Sequence, residues 1–110
     1  MTAKEPRILI YAWSPDAEAL KQVCAGIEEE GVPVQVLLQS QDTLDNLAYE
    51  AAQESVLGSG IGMIQKDIAL QLAGCPKGKN VFTYTDAAEF ECRNIGANSA
   101  RAVKRLPFRI

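Results

Sequence analysis

Three consecutive carboxylates, Glu28, Glu29 and Glu30, are the residues of this sequence best suited to binding chemistry. They stand just before Gly31, at the end of a predicted helix. Because a helix C-terminus carries negative partial charge, each acidic side chain there costs roughly 0.3–1 kcal/mol. Carboxylate oxygens are ligands that Mg²⁺ and Ca²⁺ prefer. The acidic helix end, defined as residues 28–30, is therefore either a solvated surface or a carboxylate offered to a cation or a basic partner.

Helical geometry distinguishes the three glutamates. The apolar stripe of the predicted helix comprises Leu20, Val23, Cys24 and Ile27. Successive helical residues lie about 100° apart, which places Glu29 opposite the stripe and Glu28 and Glu30 on its flanks. We expect Glu29 to point outward and the other two to be surface acids. Taken alone, the charge run favours a solvated helix end over a binding site.

The acidic helix end belongs to a strand–helix–strand unit that spans residues 7–39. The predicted strands of the whole chain span residues 8–11, 34–38, 60–64 and 81–85. Residues 67–73 read as a short helix or a turn. Apolar strands joined by helical crossovers are typical of parallel sheets covered on both faces. We therefore predict a three-layer α/β fold in which a four-stranded, mostly parallel sheet of order 2-1-3-4 is flanked by helices.

Two further helices are predicted. One extends to Glu54 and presents an alanine-rich face, and the other runs from Asp86 towards Arg105, with a break near Gly96 left open. Within the second helix, Gly96 stands with Asn94 and Asn98, which are all poor helix formers. This combination predicts close packing against another backbone, either within this chain or in a second one.

A glycine-rich stretch at residues 58–62, followed by Lys66, raises the question of a phosphate loop. Neither the dinucleotide-binding fingerprint nor the P-loop spacing is matched. Glycines in a strand more often allow a neighbouring backbone to approach closely. We predict such a strand, and keep a flavodoxin-like nucleotide-binding enzyme as an alternative function.

Length and composition restrict the function classes. The 110 residues suit one domain, residues 1–110. No apolar run is long enough for a membrane span and the N-terminus has no signal-peptide pattern, so we expect a cytoplasmic protein that does not bind membranes. The three cysteines are odd in number and widely spaced, which argues against a disulfide framework and a zinc site. With no histidine present, the commonest general base is missing, and catalysis by this chain becomes less expected.

The net charge of −3 is unevenly distributed. Up to Glu54 there are ten acids and three bases, whereas the remainder contains four acids and eight bases. Such a division predicts two surfaces of opposite sign. The acidic total, with no aromatic residues among the bases, argues against nucleic acid as a partner.

Two segments resemble a known family. Residues 93–109, RNIGANSARAVKRLPFR, are similar to the C-terminal signature of the small (beta) subunit of the diol/glycerol dehydratase-reactivating factor. Residues 26–33, GIEEEGVP, resemble the early helix end of that subunit at a matching distance. A related version of the C-terminal pattern occurs in the medium subunit of the dehydratase itself. A medium-subunit-like part of a dehydratase is therefore a further alternative.

The resemblance implies a non-catalytic role. In that family the factor is chaperone-like and uses ATP hydrolysis to release damaged cobalamin from adenosylcobalamin-dependent dehydratases. The large subunit is the ATPase and binds ATP or ADP, while the small subunit exchanges with the medium subunit on the large subunit of the dehydratase. This chain would then act in a hetero-tetramer in the cytoplasm, and a bacterial microcompartment is a location that the sequence leaves open.

The resemblance also gives Glu29 a role. The middle glutamate of the acidic helix end would join a site for a Mg²⁺ or Ca²⁺ ion that the large subunit completes. The outward direction expected for Glu29 agrees with this role. One glutamate cannot hold the ion alone, so most ligands would come from the partner.

Overall fold

The structure, a computed structural model, describes residues 5–109, so residues 1–4 and Ile110 of the predicted domain lie outside it. The elements in chain order are β1 (Ile8–Pro15), α1 (Ala17–Glu29), β2 (Val34–Leu38), α2 (Leu44–Glu54), β3 (Ser59–Gln65), β4 (Asp67–Leu72), β5 (Phe82–Tyr84) and α3 (Glu89–Lys104). Within residues 5–109, each helix is too short or too polar to span a bilayer.

The five strands form one mixed sheet of order β2-β1-β3-β4-β5. Strand β1 pairs in parallel with β2 and β3, whereas the β3–β4 and β4–β5 pairs are antiparallel. The predicted α/β class is confirmed. The predicted four-stranded, mostly parallel sheet of order 2-1-3-4 is wrong, because β4 lies between β3 and the strand expected at residues 81–85.

Strand β4 occupies the segment that was expected to form a short helix or a turn. It follows β3 after a tight turn at residues 65 and 66 and runs antiparallel to β3. Gln65 has a positive φ of 53° in this turn. Ile68 and Leu70 enter the larger core, while Gln71 is fully buried and donates to the carbonyl of Cys75 at 2.8 Å. A six-residue strand buried on both faces lacks the alternation that marks a half-buried strand, so periodicity does not identify it.

Helices cover both faces of the sheet. Helices α1 and α3 pack over the larger core, which includes Ile8, Ile10, Val23, Ile27, Ile61, Met63, Ile68, Leu70 and Ile95. Helix α2 covers a smaller cluster on the opposite face, comprising Leu9, Tyr11, Leu47 and Ala51. The three predicted layers are therefore present, with two helices on one side and one on the other.

The glycine-rich stretch forms part of the central strand β3. A Cβ atom added at Gly60 would lie 2.1 Å from the amide nitrogen of Ala52, and one at Gly62 would lie 2.6 Å from that of Ala48. The predicted close approach of a neighbouring backbone is thus confirmed, and that backbone belongs to α2. Because Gly60 and Gly62 are buried in the ladder, they do not form a phosphate loop.

Helices α1 and α3 meet through a pair of glycines. A Cβ atom at Gly96 would lie 2.1 Å from the carbonyl oxygen of Val23, and one at Gly26 would lie 2.1 Å from that of Arg93. Helix α3 continues through Gly96 without a break. The predicted close packing is confirmed, and the neighbouring backbone is α1 of the same chain. This crossing holds the basic side of α3 against the acidic helix end.

Candidate functional site

The acidic helix end is fixed by the way α1 begins and ends. Asp16 caps the helix by accepting a hydrogen bond from the Ala19 amide at 3.0 Å. At the other end the Gly31 amide donates to the Glu28 carbonyl at 2.9 Å, and Gly31 has a φ of +76°. Glycine adopts this left-handed backbone readily, which lets the chain turn sharply into β2.

Glu30 is the most enclosed carboxylate of the three. Its side chain is 12% exposed and lies 3.2 Å from Arg101 Nε and 3.2 Å from Lys104 Nζ. Lys104 also donates to the Glu30 backbone carbonyl at 2.6 Å. The expectation that Glu30 is a surface acid is therefore wrong, because α3 lies alongside this end of α1.

The protonation of Glu30 is controlled by these two bases. Burial by itself raises the pKa of the Glu30 carboxyl, but hydrogen bonds from Lys104 and Arg101, together with their charges, hold the pKa below its ordinary value. Arg101 also donates to the Pro107 carbonyl at 2.9 Å. Glu30 thus stays ionised at neutral pH and ties the acidic helix end to the C-terminal segment.

Glu29 lies on the rim of the α1–α3 pair. Its Oε1 accepts a hydrogen bond from Arg93 Nη1 at 3.1 Å, and its side chain is 51% exposed. Arg93 is held in place by two further bonds to Gln22 Oε1, of 2.7 and 3.0 Å. Glu29 therefore reaches solvent with one oxygen engaged by Arg93, while its Oε2 accepts no hydrogen bond from residues 5–109.

The bases of α3 offset part of the negative charge of the acidic helix end. Three acids at a helix C-terminus are unfavourable by themselves, but Arg93, Arg101 and Lys104 offset two of them. The signal that was missed is the pairing of Gly26 with Gly96, which brings the two helices together. Glu28 remains exposed and forms no salt bridge with the residues that the structure describes.

The donor set at Glu29 is too small to hold a metal ion by itself. Among residues 5–109, no cluster of three or more histidine, cysteine, aspartate or glutamate side chains converges to hold an ion. The free oxygen of Glu29 is nevertheless accessible to a cation whose other ligands come from elsewhere. The chain can supply one carboxylate, which is the type of ligand that a hard divalent ion prefers.

A groove of about 190 Å³ lies on the other face of the sheet, between β2 and the end of α2. Leu9 and Leu37 are among the apolar residues that line it, and Tyr11 donates to Glu54 Oε2 at 2.5 Å beside them. Burial, followed by the Glu54 hydrogen bond and charge, raises the pKa of the Tyr11 hydroxyl, which therefore stays protonated and acts as a donor. No motif in the sequence marks this groove, since it forms only where α2 leaves β2 uncovered.

A second pocket, of about 140 Å³, lies between the N-terminal ends of α1 and α3. Lys66, which the nucleotide-binding alternative would use, lines it together with Asp16, Glu18 and Glu89. Three carboxylates beside one lysine disfavour a phosphate group. The pocket and the buried glycines therefore give the nucleotide-binding alternative no support.

Comparison with known proteins gives consistent matches along almost the whole chain. The family model described as dehydratase medium subunit matches residues 5–109. The propanediol dehydratase-reactivating factor small subunit of Citrobacter freundii is 33% identical over 94% of this chain and 90% of its own length. The probable glycerol dehydratase-reactivating factor small subunit of the same organism is 37% identical over 98% of this chain and 97% of its own.

Solved structures agree with these sequence matches. A chain from the structure of diol dehydratase-reactivating factor complexed with ADP and Mg²⁺ superposes with a TM-score of 0.91 at 30% identity. The match covers 97% of this chain and 100% of that one. Fold and sequence similarity therefore extend over the same residues, including the acidic helix end and all of α3.

Proposed function

Since this chain belongs to the family of dehydratase-reactivating factor small subunits, we propose that it is the small subunit of a factor that reactivates a diol or glycerol dehydratase. The observation that carries the proposal is the nearly full-length similarity to such subunits. Its role is non-catalytic and chaperone-like.

In this proposal the factor releases damaged cobalamin from the dehydratase at the expense of ATP. The large subunit binds ATP or ADP and hydrolyses it, while this chain binds no nucleotide. The burial of Gly60 and Gly62 beneath α2, and the carboxylates around Lys66, support that division. The two chains associate in a cytoplasmic hetero-tetramer.

The proposal further assigns subunit exchange to this chain. It would take the place of the medium subunit on the large subunit of the dehydratase. The match of residues 5–109 to a family model named for the medium subunit supports such exchange, because chains of one fold can present similar surfaces to one partner.

Glu29 is the proposed contribution of this chain to a Mg²⁺ or Ca²⁺ ion shared with the large subunit. Its accessible second oxygen and its place on the rim of α1 support this role. The bound ion would neutralise carboxylate charge at the subunit boundary. Arg93 would orient the carboxylate by holding the first oxygen.

A second candidate function is a medium-subunit-like part of the dehydratase itself, which the description of the matching family model favours. This function predicts diol turnover when the chain is mixed with a large dehydratase subunit and adenosylcobalamin. A reactivating factor subunit instead gives no turnover under those conditions. Measuring product formation with and without the chain distinguishes the two functions.

Co-expression tests the leading function. We expect the chain to co-purify with the proposed large ATPase subunit, and the complex to restore turnover to a dehydratase that holds damaged cobalamin when ATP and Mg²⁺ are added. The complex without ATP is the control and should restore no turnover. A chain that never co-purifies with that subunit, or a complex that leaves the dehydratase inactive, would reject the proposal.

The metal role of Glu29 predicts a specific loss of assembly. Glu29→Ala should weaken Mg²⁺-dependent binding to the large subunit about tenfold, which corresponds to about 1.4 kcal/mol. Glu28→Ala removes a neighbouring exposed carboxylate and should change binding less than twofold. Titration of the large subunit with each variant, in Mg²⁺ and in chelator, measures the difference.

Arg93→Met separates metal binding from the ion pair. This variant breaks the contact between Arg93 and Glu29 but leaves the carboxylate in place, so Mg²⁺-dependent binding should weaken less than threefold, through the lost orientation of the carboxylate alone. If Arg93→Met and Glu29→Ala weaken binding equally, the ion pair rather than a metal contact explains the effect. Equal effects of Glu28→Ala and Glu29→Ala would also remove the special status of Glu29.

A further inference from the structure

Strand β2 forms one edge of the sheet. The Ile8 amide donates to the Pro33 carbonyl at 3.0 Å, and the Gln39 amide donates to the Ala12 carbonyl at 2.8 Å. In a parallel ladder every second residue bonds to the neighbouring strand, so the odd-numbered residues of β2 face β1. The backbone N–H and C=O groups of Val34, Val36 and Leu38 consequently face away from the sheet.

The two edges of the sheet differ in how they are protected. Strand β5 has only three residues, and Phe108 packs edge-on against Phe82 with ring centroids 5.3 Å apart. Strand β2 has five residues, carries no charge and contains no proline, and Leu38 is 73% exposed. Natural proteins protect free edges with charges, prolines or short strands. Strand β2 lacks these protections and is suited to pairing with another strand.

The charge around β2 indicates what kind of strand it pairs with. Residues 22–65 contain seven acids and no lysine or arginine. Glu29 and Glu30 are offset by α3, but Glu28, Asp42 and Glu54 form no salt bridge within residues 5–109. Antiparallel pairing of two copies of β2 would bring the acidic helix end of one copy near Asp42 of the other. A second copy is therefore disfavoured, whereas a basic segment is complementary.

The groove beside α2 lies within reach of an added strand. Gln35 and Leu37 of β2 line the groove together with Glu54. Arg7 also lines it but is paired with Glu5, so the Glu54 carboxylate is the groove's acid without a salt bridge among residues 5–109. Neighbouring strands lie about 4.8 Å apart, so a long side chain on the α2 face of a sixth strand would extend over Leu37 towards Glu54. An arginine or lysine has the necessary length, an apolar stem for Leu37 and a positive head for the carboxylate.

We propose that the free edge of β2 pairs with an extended segment of the large subunit, and that a basic side chain of this segment occupies the groove beside Glu54. The proposal rests on the function proposed above, since it names the surface that the partner uses. Addition of a strand to a free edge is a common mode of recognition, in which backbone bonds give affinity and side-chain pockets give specificity.

Hydrogen exchange tests the proposal without any substitution. In the free chain the amides of Val34, Val36 and Leu38 should exchange fast, while those of Gln35 and Leu37, which bond to β1, exchange slowly. In the complex with the co-expressed large subunit, exchange at the three outward amides should slow at least 100-fold. Unchanged exchange at these amides in a complex that does form would overturn the edge proposal alone, whereas failure to form any complex would reject the proposed function and the edge with it.

Substitutions on the edge and in the groove provide a second measurement. Leu38→Pro removes an outward amide at an exposed position and should weaken binding to the large subunit at least tenfold. Leu38→Ala keeps the amide and should change this binding less than threefold. Glu54→Gln keeps a hydrogen-bond acceptor for Tyr11 but removes the negative charge. It should lower the affinity for the large subunit and make that affinity less dependent on salt concentration. Equal effects of the two Leu38 variants, or a Glu54→Gln complex with unchanged salt dependence, would count against the proposal.

Discussion

Gly96→Ala is expected to lower the free energy of unfolding by about 3 kcal/mol, at the upper end of the usual cost of overpacking. The added methyl group would lie 2.1 Å from the Val23 carbonyl oxygen, and the nearby atoms are backbone rather than flexible side chain. Helices α1 and α3 would therefore have to separate. Urea denaturation of the wild type and the variant measures the change.

Gly74→Ala is the matched control for this substitution. An added Cβ at Gly74 meets no atom within 4 Å, so its effect should stay within about 0.5 kcal/mol. Gly26→Ala should resemble Gly96→Ala, because its methyl group would lie 2.1 Å from the Arg93 carbonyl oxygen. A loss below about 1 kcal/mol for Gly96→Ala would show that the crossing relaxes easily and that the glycines are not required for it.

The glycine crossing is also where the fold and the proposed site meet. Arg93 lies within α3 close to the crossing, and Arg101 and Lys104 follow on the same helix. If the helices separate, these three bases move away from Glu29 and Glu30. A Gly96→Ala protein that remains folded should therefore bind the large subunit less tightly, although neither Gly96 nor its neighbour Val23 is exposed.

Local signals predicted those parts of the fold that depend on short segments of sequence. The β1–α1–β2 unit, the alanine face of α2 and the glycines in β3 all follow from residue types at fixed spacing, and the structure contains each of them. Strand β4 could not be predicted in this way. Its strand geometry is imposed by pairing with β3 and β5, and a six-residue segment in which Asp67 and Gln71 interrupt the apolar residues has no decisive period.

In the candidate site, too, local features could be predicted from the sequence and long-range contacts could not. The sequence marked the acidic helix end and the outward position of Glu29, but it placed Glu30 on the surface. The bases that enclose Glu30 lie about seventy residues further along the chain, at Arg101 and Lys104. Only the α1–α3 crossing brings them together, and a single sequence gives no direct measure of such long-range contacts.

Glu30→Ala should destabilise the fold by about 2 kcal/mol at neutral pH. Exposed ion pairs contribute roughly 0.2–1 kcal/mol, and breaking a buried pair costs roughly 3–5 kcal/mol. The Glu30 carboxylate lies between these limits, since its side chain is 12% exposed and those of Arg101 and Lys104 are 27% and 37% exposed. Glu28→Ala removes an exposed carboxylate without a salt bridge in the described residues and should cost less than about 0.5 kcal/mol.

The pH dependence of the contribution of Glu30 to folding stability tests whether this contribution is electrostatic. Because the folded pKa of Glu30 lies below its unfolded value of about 4.3, its stabilising contribution is fully present above that pH. The contribution is lost as the pH falls through the lower, folded pKa. The stability gap between the wild type and Glu30→Gln, measured by urea denaturation from pH 7 to pH 3, should therefore be constant near neutrality and shrink below about pH 4. A gap that stays constant down to pH 3 would mean that Glu30 acts through packing or neutral hydrogen bonds, and that the bases of α3 do not hold the acidic helix end by charge.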